Sequence, residues 1–412
     1  MGKRRSGLPG RLFFVHKHIM AGTPGGWDDE AHALWTANKR AEAIQRLLIP
    51  LNATPKKPPK ALLAQFGYYL FLLPDYKAAA EVLGRAHKLY PGDMQLHLNL
   101  ATTQSRAKDH VAAIATAKSY IAKGGRDPNI FDMLAHSHYR VGQFDDAKKA
   151  GEEALAIKDE QATAPPGLAL APIPPDADAK PGVIAFSLWG SNPRYLRGAL
   201  HNVIAARQIY PGWTCRFYVD ASVDRDFLAA VKELGGDIHE HRIFGMRQRL
   251  SRRFAVADDP NVGRFMVRDC DSVVNEREAV AVQDWIASGK PFHIMRDWWT
   301  HTDPMLAGMW GGTAGVLPAM RGLLGAYTPK HIETPNWDQW FLRDSVWALV
   351  RDHALIHDRY FASRNAIPFP GERPVGNYHV GQDEFAVRRA EQRAFLADWI
   401  DKLPILKMPD DS

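Results

Sequence analysis

Arg264-Phe265-Met266-Val267-Arg268-Asp269-Cys270-Asp271-Ser272-Val273-Val274 is the stretch on which the reading of this 412-residue chain turns. Its first half is a short apolar run of the kind a buried strand uses, and a helix is expected to open at about Asn275. Asp269 and Asp271 stand where that strand ends. Two carboxylates one residue apart at a strand end can both reach a hard divalent cation, and a cation held there can bind a diphosphate. The competing reading is a strand-end turn closed by an Asx-type cap.

Strand and helix alternate on the amino-terminal side of this stretch. Val183 to Leu188 reads as a strand ending in Trp189-Gly190-Ser191-Asn192-Pro193, followed by a helix from Tyr195 to Ile209. Cys215 to Val219 reads as a second strand and Arg225 to Leu234 as a helix closed by Gly235-Gly236, so Arg264 to Arg268 is a third strand. The alternation predicts an α/β domain over residues 183–412, with a mostly parallel sheet and helices on both faces. In such sheets ligands bind at the carboxyl ends of the strands. Arg296 and Asp297, after a short strand Phe292 to Met295, form another strand-end pair, for which substrate contact and an internal salt bridge are both open.

Between Gln161 and Gly182 the prolines 165, 166, 172, 174, 175 and 181 exclude a sustained helix, which makes residues 161–182 a semi-rigid linker. Upstream of it the chain repeats. Asp75-Tyr76-Lys77-Ala78-Ala79, Asp109-His110-Val111-Ala112-Ala113 and Gln143-Phe144-Asp145-Asp146-Ala147 follow one another at 34 residues. That spacing, with small residues such as Gly67, Ala79 and Ala86 among large ones such as Phe66 and Leu83, resembles tetratricopeptide repeats over residues 27–160. The middle copy is degenerate, with His97 and Gln104 at bulky positions, and an irregular unit is expected over Trp27 to Leu51. The resemblance implies an α-solenoid with a protein partner on its concave face.

Hydrophobic residues make up 46% and charged residues 24% of the chain, a composition that buries a core and fits two domains. Part of the +6 formal charge sits in the leader, residues 1–26, with Lys3, Arg4, Arg5, Arg11 and Lys17, which reads as a flexible basic extension. The remaining charge suits a phosphate-bearing substrate or an anionic surface and falls short of a nucleic-acid stripe. Two cysteines, Cys215 and Cys270, exclude a disulfide framework. The apolar run Leu12 to Val15 is too short for a signal-peptide core or a transmembrane segment. A cytoplasmic setting is expected, including the periphery of the inner membrane.

From about Gly182 to Glu384 the chain resembles the nucleotide-sugar glycosyltransferases of the GT-A fold, especially the retaining, family-eight-like group and bacterial and viral relatives joined to repeats. The blocks that carry the resemblance are Phe186-Ser187-Leu188-Trp189-Gly190, Tyr210-Pro211-Gly212-Trp213, Arg268-Asp269-Cys270-Asp271-Ser272 and Phe292-His293-Ile294-Met295-Arg296-Asp297. The resemblance implies that Asp269 and Asp271 hold Mn²⁺ or Mg²⁺ against a donor diphosphate, with His379 of Tyr378-His379-Val380-Gly381-Gln382 as third ligand. It implies that Gly311 and Gly312 let the donor sugar lie against backbone, and that Asp338 and Gln339 line the sugar site and face the reacting carbon. The basic group Arg247, Arg249, Arg252 and Arg253 suits phosphate, because a guanidinium fork grips phosphate oxygens in two places, and Arg253-Phe254 resembles the Arg-Phe pair that precedes the strand in the family, which makes Arg253 the preferred phosphate contact. Arg296 and Asp297 join the donor-contact set. The family's late lysine after the glycine is missing here. Trp298, Trp299, Trp310, Trp337 and Trp340 crowd the same region, serving either sugar stacking or the core.

The expected activity is transfer of a sugar from a nucleotide-diphosphate donor to a glycan, lipid-linked or protein acceptor. Two alternatives remain open: an adaptor in which repeats bind a partner beside an inactive transferase-like domain, and a haloacid-dehalogenase-like phosphatase. The second matches Asp269-Cys270-Asp271-Ser272-Val273, but requires that motif on the first strand of its fold.

Overall fold

The computed structural model describes residues 24–242, 245–328, 336–372, 374 and 376–408. The leader expected over residues 1–26 lies outside them except for its last three residues. Among the described residues the chain divides into two compact units, one ending at Ile157 and the other running from Lys158 onward.

The first unit is built from helices α1 (Asp29–Thr36), α2 (Arg40–Ala53), α3 (Lys60–Leu72), α4 (Tyr76–Leu89), α5 (Met94–Arg106), α6 (His110–Ala122), α7 (Pro128–Arg140) and most of α8 (Phe144–Gln161). The period is written in the caps. Asp75 and Asp109 cap α4 and α6, and Asp93 and Asp127 cap α5 and α7; within each pair the aspartates are 34 residues apart. Helices close up where the side chain is small: a Cβ on Gly67 would lie 2.8 Å from the Leu83 Cγ. In the degenerate copy His97 is buried, set edge-on at 4.0 Å to His87, with its Nδ1 against the Asp93 carbonyl, while Gln104 accepts from the Thr116 hydroxyl. This unit is a tetratricopeptide-like helical array.

The second unit carries strands β1 (Gly182–Leu188), β2 (Trp213–Val219), β3 (Asp237–Glu240), β4 (Arg264–Val267), β5 (Phe292–Arg296), β6 (Trp310–Thr313) and β7 (Ala354–Asp358). Its longer helices are α9 (Pro193–Ile209), α10 (Arg225–Glu233) and α12 (Glu276–Ala287), and the shorter ones α11 (Met246–Ser251), α13 (Met320–Ala326), α14 (Trp337–Phe341), α15 (Trp347–Val350), α16 (Glu384–Val387), α17 (Arg389–Phe395) and α18 (Ala397–Lys402). The strands form one sheet in the order β3-β2-β1-β4-β6-β5-β7. β6 pairs antiparallel with both β4 and β5, and the remaining pairings are parallel. The sheet is therefore mixed, which corrects the expectation of a mostly parallel one. No helix lies between β5 and β6, so the chain has no crossover there and turns straight back beside β5.

The β4 residues alternate between two cores, with Phe265 and Val267 in the one around Phe254 and Trp310, and Met266 in the one around Phe186 and Phe217. β1 connects through α9 to β2 on one side, and its other neighbour is β4, so strand order reverses between β1 and β4. A crevice outside the carboxyl ends of two such strands is where open α/β sheets bind ligands. Among the described residues no helix is long and apolar enough to cross a membrane.

Candidate functional site

The loop after β4 is held rigidly. Gly198 of α9 lies against it so closely that a Cβ there would fall 1.8 Å from the Cys270 carbonyl oxygen. The buried Asn202 side chain donates to the Ser272 carbonyl at 2.9 Å and accepts from the Val274 amide at 3.0 Å. The Cys270 thiol points inward and donates to the Ser187 carbonyl. With Cys270 turned in, the flanking Asp269 and Asp271 are directed away from the core, and each meets an arginine.

Arg253, from the 3₁₀ turn Arg252–Asp258, is fully buried and binds the Asp269 carboxylate, the Arg268 carbonyl at 2.7 Å and the Asp338 carboxylate at 3.0 Å. Arg194, in the first turn of α9, places one Nη2 atom 2.5 Å from Asp271 and 2.6 Å from Asp383. Asp383 is fixed beside the loop by a bridge between Ser272 and itself, and the Glu384 amide donates to the Asp271 carbonyl. Four carboxylates thus share two guanidinium groups. Burial pushes the Asp271 carboxyl up to about 6, with Asp269 adding its repulsion against the pull of Arg194. Burial does the same to Asp338, to about 6, against the pull of Arg253.

Gln339 follows Asp338 on α14, and its side-chain amide donates to the buried Asp303 carboxylate. Asp303 is 3.0 Å from the Lys158 ammonium, which also donates to the Thr302 carbonyl at 2.7 Å. Asp338, Gln339, Arg253 and Asp269 are therefore joined through short contacts, while Asp271 belongs to a second set with Arg194 and Asp383. Asp338 accepts from the Gln339 amide within α14 rather than capping it.

The other expected residues lie elsewhere. His379 stacks on Trp298 at 4.4 Å and sets Nδ1 against the Asn377 carbonyl, and burial lowers its pKa. Asp297 is buried between Arg277 at 3.2 Å and the Val380 amide at 2.8 Å, holding the turn that carries His379. Arg296 is committed to Asp358 at 2.6 Å, Ser363 at 2.6 Å and the Pro304 carbonyl at 2.9 Å. Gly311 and Gly312 are buried in β6, where a Cβ would meet the Phe265 carbonyl at 2.6 Å and the Phe292 ring at 2.9 Å; their smallness serves strand packing. Among the remaining basic residues, Arg249 pairs with Asp220, Arg252 meets His241 and Arg247 lies over Trp337.

Among the described residues no three His, Cys, Asp or Glu side chains gather around one point, so His379 does not join the aspartates. Two carboxylates, Asp269 and Asp271, are the oxygen donors a hard divalent cation takes. Mutual repulsion between the two carboxylates is the condition such a cation relieves.

Sequence reasoning missed Arg194, Asp383, Lys158 and Asp303. One signal was available: a basic residue at the start of the helix that follows the first strand, in Asn192-Pro193-Arg194, stands at a helix terminus suited to anions. No protein-family model and no curated protein matches the chain. Solved structures similar to it include "Crystal structure of MamA", with 21% identity and a TM-score of 0.30 over 32% of this chain and 75% of that one. MamA 41-end from Desulfovibrio magneticus RS-1 gives 19% identity and a TM-score of 0.29 over 31% and 72%. A mutant O-GlcNAc transferase from Thermobaculum terrenum gives 13% identity and a TM-score of 0.35 over 54% of this chain and 42% of that one.

Proposed function

We propose that the sheet unit is a glycosyltransferase that takes a sugar from a nucleotide-diphosphate donor, with the helical array engaging a protein partner or the acceptor. The observation that carries this reading is the pair Asp269 and Asp271, presented beside the point where strand order reverses, each on its own arginine. Mn²⁺ or Mg²⁺ held by the two carboxylates would supply the charge that stabilises a departing diphosphate.

The chain's own residues do the rest. Arg253 fixes Asp269 and Asp338 in one frame, and Arg194 fixes Asp271 against Asp383. With the diphosphate in place, Arg194 is the guanidinium free to exchange a carboxylate for a phosphate oxygen, being 30% exposed where Arg253 is buried. Asp338 and Gln339 face the sugar. The bond between the anomeric carbon and the diphosphate oxygen breaks with its electron pair leaving on that oxygen, and an acceptor hydroxyl bonds to the carbon and gives its proton to the departing diphosphate.

Calorimetry with UDP-glucose, UDP-N-acetylglucosamine and GDP-mannose, each with and without Mn²⁺, tests the reading. Binding of at least one donor should require the metal and should vanish in Asp271→Ala. Because the Asp271 carboxyl sits at about 6, metal binding should strengthen from pH 5 to pH 7 as the proton leaves. No binding by the intact chain, or equal metal-dependent binding by the variant, overturns it.

A further inference from the structure

Helix α8 is longer than its repeat requires. It has 18 residues where α4 has 14 and α6 has 13, and the surplus turn begins at Lys158, where the sheet unit begins. That turn is tied down inside the sheet unit: Asp159 accepts from the Trp347 indole at 2.7 Å and from Arg364 at 2.8 Å, and the Arg351 guanidinium holds its carbonyl at 3.0 Å. Lys158 itself is fully buried, with its ammonium on the equally buried Asp303, whose other carboxylate oxygen receives the Gln339 amide.

A buried ion pair is poor value as a source of stability, because stripping water from two charges costs about as much as their attraction returns. Its geometric effect is large. With the Lys158 ammonium bound to one oxygen and to the Thr302 carbonyl, the Asp303 carboxylate has one orientation, and that orientation fixes the Gln339 side-chain amide. We infer that Lys158, read from sequence as the tail of a repeat helix, is a positioning residue for the transfer site, acting on Gln339 through Asp303.

The inference rests on the proposed transferase reading, in which Gln339 faces the donor sugar. Its test is slow hydrolysis of whichever of UDP-glucose, UDP-N-acetylglucosamine or GDP-mannose the intact chain binds, followed as release of the nucleoside diphosphate. Water replaces the acceptor there: its oxygen bonds to the anomeric carbon and its proton is released. Lys158→Met should lower kcat by about 10- to 100-fold, the effect of misplacing a site group by about 1 Å, with KM within about twofold. Gln339→Ala should lose as much, and the double variant should be no slower than either single one, the non-additivity of residues that act as a unit. Lys158→Met/Asp303→Asn keeps an acceptor for Gln339 without an uncompensated charge, and should recover most of kcat even if Lys158→Met folds poorly. Additive losses, or unchanged kcat in Lys158→Met, overturn the positioning role alone. An intact chain that neither binds nor hydrolyses any of the three donors overturns the transferase reading instead, and the role of Lys158 with it.

Discussion

Exposed ion pairs of the helical array and the most buried ion pairs of the sheet unit use the same residue types in opposite surroundings. Lys39 and Glu42 are each 56% exposed, and Arg126 and Glu153 are 50% and 39% exposed. Arg268 and Glu278, by contrast, are each 1% exposed, as are Arg296 and Asp358. Exposed pairs contribute little, with a typical value of about 0–1 kcal/mol, and buried ones are expensive to assemble. The array therefore owes little to its ion pairs and draws its stability from buried apolar side chains such as Leu63, Tyr69 and Leu83, packed against small residues, and from its caps. In the sheet unit the buried Arg253 and Lys158 hold Asp269, Asp338 and Asp303 in place, whereas Arg296 and Asp358 are committed to each other.

The sharpest way to break this contrast is to remove one member of a buried pair. Arg268→Met leaves Glu278, whose carboxyl burial already pushes up, without its counter-charge, and frees the Val267 carbonyl at 2.8 Å. The expected loss is about 3–5 kcal/mol in urea unfolding. Arg268→Met/Glu278→Leu should recover most of it, falling short by about 1–3 kcal/mol because the Tyr210 hydroxyl loses its acceptor. A single variant as stable as the parent would remove the distinction between the two units.

Asp338 of the sheet unit and Asp93 of the array should also contribute to stability with opposite pH dependence. Asp338 sits at about 6 when folded against 3.8 in the open chain. Below pH 3.8 both states keep the proton; between there and 6 the unfolded chain releases it first, so stability falls as pH rises and the loss is complete above 6. Asp338→Asn lacks this slope. Its stability relative to the parent should improve from about pH 4.5 to pH 7, by up to about 1.4 kcal/mol for each pKa unit. Asp93 of the array behaves in reverse: despite burial, Lys60 and the Leu96 amide hold it below the usual carboxylate range, so its contribution is present above the unfolded pKa and fades as pH falls. Urea midpoints of Asp338→Asn at pH 4.5 and pH 7, and of Asp93→Asn at pH 7 and below pH 3.8, each read against the parent, would show opposite trends, and parallel trends would sink the argument.

What was legible in the sequence was local. Period, caps and small residues of the array are set within one helix pair, and the Asp269–Asp271 spacing lies on one strand end, so both could be read directly. Arg194 and Asp271 are 77 positions apart and Arg253 and Asp338 are 85, and no local pattern joins them. The resemblance singled out Asp338 and Gln339 for the sugar site, and the structure sets Asp338 on Arg253, whereas Arg296 and Asp297 read as cleft residues because a strand end exposes side chains by default. Here Arg296 and Asp358, at paired ends of β5 and β7, satisfy each other. The antiparallel direction of β6 escaped for a different reason: the resemblance marked a small-residue strand at Gly311-Gly312-Thr313, but two glycines carry no hydrophobic alternation, and the direction of a four-residue strand is fixed by neighbours it meets only after folding.

The smallest expected effects lie in the array, where they test whether the repeat is energetic as well as geometric. The Asp109 carboxylate accepts from the Ala112 amide at 3.1 Å, and 34 residues earlier Asp75 accepts from Ala78 at 3.2 Å. Each satisfies a backbone donor that α6 or α4 would otherwise leave open, so Asp109→Ala and Asp75→Ala should each lose about 1 kcal/mol. Lys39→Ala, which removes only a solvated partner of Glu42, should stay within about 0.5 kcal/mol of the parent. Stability in a helical array is a sum of unit and nearest-neighbour contributions, so the two cap variants should agree with each other more closely than either agrees with Lys39→Ala. A loss at Asp109 several times that at Asp75 would mean that the degenerate middle copy, with His97 in its core, leans on its cap because its packing is weaker.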